Sequence, residues 1–282
     1  MRSMNASWLR RILGGVAALL LGLSAAARAQ NMRLGEVLIF NVPDLKRDAD
    51  VKAFEAHVLG EVIPAWKASA TGMELHLVQK DRGNRPGKYL FAYTGGMAAY
   101  GRIQAPGASA GSPFTADLLE KAGVVGPGLA RFINSGGEYI EYRLVAPEKV
   151  GVLPEVDVLG IHYIKVRPDR REAFDRFIAE KLHPSVGNLR PDLRLLYYRP
   201  VRGTDVGNYL TLIALTQASR DKYWPGGKDS EDLKTAFKTV DGLAEELKAY
   251  LVEGSYTTGN LAAAVYESRE WADWVQVRAE NR

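Results

Sequence analysis

The side chains in this 282-residue chain that could do chemistry are few: four histidines, no cysteine, and tyrosines gathered in the second half. His162 stands inside the apolar run Ile161 to Val166 with Tyr163 beside it. Tyr197 and Tyr198 lie in a second such run, and His183 falls near the end of the helical stretch between the two. A neutral imidazole buried without partners costs about 1–3 kcal/mol. His162 therefore needs either a tyrosine hydroxyl nearby or a bound ligand. His183, at a helix end, could equally do no more than meet the terminal carbonyls. Glu74 and His76 are two apart in an extended run and so share a face, either as an oriented acid–base couple or as a surface salt bridge. His57, at the edge of a helical stripe, reads as a packed core residue.

Other chemistries lose their signatures. There is no glycine-rich phosphate loop of standard spacing, no Gly-x-Ser-x-Gly elbow and no pair of histidines at metal-ligand spacing, so no metal is expected, nor nucleotide binding, serine hydrolysis or zinc hydrolysis. Without cysteine there is no disulfide and no lipoprotein attachment. Arg2, Arg10 and Arg11, then the apolar stretch Ile12 to Leu23, then Ala27-Arg28-Ala29 before Gln30 make up a secretory signal peptide over residues 1–29. About a dozen apolar residues are too few for a bilayer, which takes roughly twenty. The mature protein is expected in the periplasm or medium with no stable membrane insertion. Four of the 37 basic residues and none of the 33 acidic ones precede Gln30. The mature chain is therefore formally neutral, which removes the electrostatic footprint of a nucleic-acid binder.

The elements that must position these side chains read most clearly from Gly160 to Leu215. After the strand Ile161 to Val166, Asp169 and Glu172 have capping-box spacing. Ala173, Phe174, Phe177, Ile178, Leu182 and Val186 recur at helical spacing, with Pro184 expected where the helix frays. Two strand-like runs, Leu193 to Arg199 and Tyr209 to Leu215, flank Arg202-Gly203 and Gly207 as a hairpin. The same unit occurs 120 residues earlier without a gap between Ala53 and Leu90: Phe54 answers Phe174, Pro64 answers Pro184, Arg82-Gly83 answers Arg202-Gly203, and Tyr89 answers Tyr209. Leu38 to Val42 matches His162 to Val166, with Lys46 to Asp50 read as extra residues.

A β-α-β-β unit completed by a second helix and a fourth strand is a ferredoxin-like layer, and two such layers packed sheet to sheet bury both apolar faces. On this element order and repeat the chain resembles the dimeric α/β-barrel superfamily with both halves in one polypeptide. That group includes cofactor-independent and antibiotic-biosynthesis monooxygenases, haem-degrading and chlorite-dismutase-like enzymes, and EthD-like and NIPSNAP-like proteins. The expected fold is thus α+β, with ferredoxin-like repeats at 35–146 and 157–282 joined by a linker at 147–156. A chain that covers its own sheets is expected to be a monomer or a weak oligomer.

Less regular segments are expected as a long loop from Gly95 to Pro113, broken helix at Phe114 to Leu119 and Leu129 to Ile133, and a fourth strand at Glu138 to Val145. A loop at Thr216 to Ser230 then precedes a long helix on Leu233, Phe237, Val240, Leu243, Leu247 and Leu251. Trp274 to Arg278 mirrors Tyr139 to Arg143 and is read as the last strand, with an extra helix at Leu261 to Ser268; the alternative puts the strand at Leu261 to Tyr266. Set against the first copy, His162 replaces Leu38, His183 replaces Ile63, and Tyr197-Tyr198 replace Leu77-Val78. A site for a small apolar or aromatic ligand is accordingly expected in the second half between sheet and helices. Its residues would be His162, Tyr163, His183, Tyr197 and Tyr198, under the Trp224 loop. The resemblance alternatively implies a monooxygenase-like or haem-active enzyme, with His162 or His183 as base or as axial ligand to haem.

Overall fold

The structure, a computed structural model, describes residues 32–69, 71–103, 128–147, 156–186, 193–238, 241–255 and 270–278. The leader, most of the linker, the segment Phe114 to Leu119, Val240 and the proposed helix Leu261 to Ser268 lie outside them.

Near-continuous apolar runs suit strands buried on both faces, and eight such strands form a closed antiparallel barrel in the order β1-β3-β2-β8-β5-β7-β6-β4. In the first half β1 is Val37–Leu45, β2 Glu74–Gly83, β3 Tyr89–Gly95 and β4 Ile133–Ala146. In the second, β5 is Val158–Lys165, β6 Arg194–Gly203, β7 Asn208–Leu215 and β8 Glu270–Gln276. Each half therefore has the order fourth, first, third, second strand. The halves meet at two seams, β2 with β8 and β4 with β6. This is an α+β dimeric α/β barrel completed within one chain.

Strand alternation sends one face of each strand inward. Leu38, Phe40, Leu90, Leu159, Ile161, Leu196, Leu212 and Trp274 belong to one interior core. The opposite faces carry two further cores under the helices, one per half. Helix α1 covers the first, running through Val51–His57, a π-helical turn Val58–Val62 and Ile63–Ala68. Helix α3 covers the second, through Arg171–Phe177, a π-helical turn Ile178–Leu182 and His183–Val186. Between them in sequence lies α2, Met97–Ile103, in the segment expected to be loop.

Both π turns precede a proline, Pro64 or Pro184, which lacks an N–H and whose ring crowds the carbonyl four residues back. The wider turn, in which Ile63 N–H reaches Val58 O and His183 N–H reaches Ile178 O, accommodates the ring. Pro184 thus sits inside a continuing helix rather than at its fraying end.

Several local expectations change. Asp50 caps α1, accepting from Lys52 and Ala53 N–H at 2.9 and 3.1 Å. Asp169 caps nothing; it lies in a 3-10 turn, Pro168–Arg170, and pairs with Arg167 at 3.1 Å. The loop after β7 contains a helix, α4, Gln217–Tyr223, capped by Thr216, and a 3-10 turn, Pro225–Gly227. The long helix that follows is divided into α5, Glu231–Lys238, a 3-10 turn Asp241–Leu243, and α6, Ala244–Lys248. The last strand begins at Glu270 rather than Trp274.

The repeated Arg-Gly pairs, expected to serve hairpins, build the seams. Gly83 and Gly203 have φ of +113° and +136°, and a Cβ on either would collide with backbone of the other half, at Trp271 and Tyr139 respectively. The preceding arginines cross the same seams, Arg82 to Asp273 and Arg202 to the fully buried Glu141. Glu141 also accepts from the Tyr139 and Tyr100 hydroxyls.

Candidate functional site

Register decides which polar side chains meet. Val37 pairs with Gly95 on β3 and Val158 with Leu215 on β7, so β1 and β5 correspond at an offset of one residue more than the helices, which leaves a single extra residue in the first half rather than the several read between Lys46 and Asp50. Arg171 and Val51 both begin their helices. The counterpart of His162 is therefore Asn41, not Leu38: His162 faces Thr211 and Asn41 faces Phe91. Runs buried on both faces carry no alternation to mark register, which is why the strands could be slid against each other in sequence.

On the helix-facing side of the second sheet, four directly paired residues form a row across four strands: Trp271 on β8, His162 on β5, Thr211 on β7 and Tyr197 on β6. Neighbouring strands lie about 4.8 Å apart, so the row spans the sheet. Trp271 stacks on His162 with ring centroids 6.3 Å apart and an interplanar angle of 16°. From α3, the half-buried His183 meets the Tyr197 ring edge-on at 6.1 Å. Tyr197 and Thr211 are 1% and 0% exposed, yet neither hydroxyl has a hydrogen-bond partner, and neither does His183 Nδ1.

The electrostatics follow from burial. Desolvation pushes His162 down to about 3, so it is neutral at physiological pH, and lowers His183 as well. The same cause holds the Tyr197 phenol well above its ordinary value. The row is polar without being charged.

Of the expected site residues, His162, His183 and Tyr197 come together in this layer. Tyr163 and Tyr198 face the barrel interior, as strand alternation requires once Tyr197 faces the helices. The Arg85 guanidinium lies 4.2 Å from the Tyr163 ring centroid, and Tyr198 donates to Gly35 O at 2.8 Å. Trp224 packs on the rim of the helix-covered core beside Tyr223, 6.2 Å between rings. Thr211 and Trp271 are the residues the sequence reading missed. Thr211 stands one position past the end of the gap-free match, opposite Phe91, so extending the comparison by a residue would have found it. Trp271 was lost with the start of the last strand.

Glu74 and His76 do pair, His76 Nε2 to Glu74 Oε2 at 3.2 Å, but on the barrel-interior face rather than at the surface. His76 is 3% exposed and its Nδ1 meets Gln276 Nε2 at 3.3 Å, so both ring nitrogens are engaged. Burial raises the Glu74 carboxyl, but hydrogen bonds and charge from His76 and Arg33 together outweigh it and leave the group below its ordinary value. His57 is buried in the first half with its ring 5.7 Å from Phe132.

Haem ligation needs an imidazole nitrogen aimed at a face wide enough for a porphyrin. Trp271 covers His162 and Tyr197 stands against His183, so the described residues do not fit that group.

Compared with known proteins, the chain matches no family model and no curated sequence. Solved structures of similar arrangement include a mutant chlorite dismutase from Candidatus Nitrospira defluvii, 9% identical, covering 88% of this chain and 93% of that one, TM-score 0.47. A monooxygenase-like protein from Listeria innocua is 12% identical over 86% and 95% of the two chains, TM-score 0.37. A ferredoxin-fold protein related to antibiotic biosynthesis monooxygenases, from Listeria monocytogenes, is 12% identical over 86% and 96%, TM-score 0.35. The barrel itself rests on the strand register of this chain.

Proposed function

We propose that the second half binds a small, mostly apolar molecule, aromatic by preference, in the layer between its sheet and α3. The observation that carries this reading is the group of three unpartnered polar atoms, Tyr197 OH, Thr211 Oγ1 and His183 Nδ1. Buried polar atoms are nearly always paired, and leaving one orphaned costs about 1–3 kcal/mol. A ligand with one or two hydrogen-bonding groups relieves that cost. The surrounding rings of Trp271, Tyr197 and His183 favour a flat partner. Catalysis by a buried general base is supported less well, because a base is most effective with its pKa near the working pH and His162 lies at about 3.

The leader at residues 1–29 supports action in the periplasm or medium, which an intact mass beginning at or near Gln30 would establish. Closure of all eight strands within one chain supports a monomer or weak oligomer. The binding reading is tested by thermal shift of the purified mature protein against hydroxylated and carbonyl-bearing aromatic fragments. Fragments should raise the melting temperature of the wild type and not that of Tyr197→Phe/Thr211→Val. Equal shifts in both proteins, or none in either, contradict it.

A further inference from the structure

We propose that this layer selects its ligand by charge, admitting uncharged aromatic molecules that carry a hydroxyl or carbonyl group and rejecting their anions. The proposal rests on the layer being a ligand site and concerns what that site can take. Its geometry supplies hydrogen-bonding groups without a counter-charge. Along the row, Thr211 cannot ionise, and Tyr197, His162 and His183 are all displaced by burial toward their neutral forms.

Most of the charged groups bordering the layer are already engaged. On β8, Asp273 holds Arg82 and lies 3.5 Å from Arg220, which also pairs with Asp81. The Arg82 guanidinium, 5.8 Å from the Trp271 ring centroid, is the cation nearest the end of the row that these contacts reveal, and its carboxylate is in place. On α3, Asp175 accepts from the Tyr209 hydroxyl and from Arg199 of β6, each at 2.8 Å. At the start of α3, twelve residues before His183, Arg171 donates through Nη2 to Val206 O at 2.8 Å, while its Nε is buried without a partner. Farther along, Lys181 pairs with Glu246 of α6 on the solvent side at 2.8 Å. On α4, Lys222 donates to the Tyr223 hydroxyl at 3.0 Å.

An anion entering the layer would lose its hydration and find neutral dipoles in exchange, which does not compensate a buried charge. A neutral phenol loses far less and can donate to one unpartnered atom while accepting from another. The available groups suit that pattern: a hydroxyl on Tyr197, another on Thr211, and a ring nitrogen whose donor or acceptor role follows its tautomer.

The test uses two phenols with the mature protein. Phenol ionises near pH 10, like the tyrosine side chain, whereas 4-nitrophenol ionises in the neutral range. Affinities are measured by calorimetry from below to well above the ionisation of 4-nitrophenol. If only the neutral form binds, the affinity for 4-nitrophenol falls about tenfold for each pH unit above its ionisation, because the competent fraction of the ligand falls by that factor. The affinity for phenol stays level over the same range, and both affinities are lost in Tyr197→Phe/Thr211→Val. Nitrophenol affinity that is level or rises with pH, while phenol still binds, overturns charge selection and leaves the site standing. Failure of both phenols to bind, or binding unchanged in the double variant, overturns the site and the selection together.

Discussion

Two rows of side chains cross the helix-facing sides of the two half-sheets at corresponding positions: Tyr139, Asn41, Phe91 and Leu77 in the first, Trp271, His162, Thr211 and Tyr197 in the second. In the first row the Tyr139 hydroxyl is held by Glu141, Asn41 Nδ2 donates to Glu138 O at 3.3 Å, and the other two side chains are hydrocarbon. In the second, two hydroxyls and a facing imidazole nitrogen are buried without partners. One backbone plan thus supports a row whose polar groups serve the fold and a row whose polar groups cost stability. On the proposed reading, polarity retained at such a cost serves a ligand rather than the fold.

The largest test of this contrast is on the first half. Glu141→Ala would strand Arg202 and remove the acceptor of two tyrosine hydroxyls, and breaking a buried ion pair in this way costs about 3–5 kcal/mol. The urea midpoint should fall accordingly without a change in m-value. A midpoint like that of the wild type would mean that the polar groups of the first row are not structural.

The acid limb of stability separates the rows next. The folded-state pKa of His162, about 3, lies below its unfolded value near 6.5. Between these values the unfolded chain binds more protons, so this group makes stability fall as pH drops from about 6.5 toward 3. His162→Asn, which installs the first-half residue, should flatten that part of the pH–stability curve; an unaltered slope would show that His162 is not the group responsible.

The repeat, and with it the barrel, was legible because the shared residues are those with local consequences: the prolines that impose a π turn, Gly83 and Gly203 at the crossings, and the Phe54 and Phe174 anchors. The site was legible only in part. His162, His183 and Tyr197 stood out as polar departures on apolar stretches. The matches of His183 to Ile63 and of Tyr197 to Leu77 were legible, but that of His162 to Asn41 depended on a strand register that doubly buried runs do not encode. The same lack of alternation hid the split between Tyr197 and Tyr198, and it moved the last strand three residues past Trp271. The roles of Arg82 and Arg202 were invisible for another reason, since their partners Asp273 and Glu141 are distant in sequence and belong to the opposite half.

Transplanting the first row sharpens the contrast at smaller cost. Tyr197→Leu/Thr211→Phe restores the residues of the first half with little change in total volume, so stability should change by less than about 1.5 kcal/mol while fragment binding disappears. Retained binding would place the ligand elsewhere.

The most direct measurement is the sign of the stability change in Tyr197→Phe and Thr211→Val, each of which removes one unpartnered hydroxyl with little change of shape. The account predicts that each variant melts at or above the wild-type temperature, by as much as about 2–4 °C for each 1 kcal/mol recovered, and that each loses affinity for the fragments that stabilise the wild type. Melting temperatures that fall by several degrees with binding intact would show that these hydroxyls are structural, and would contradict the assignment of the second row to a ligand.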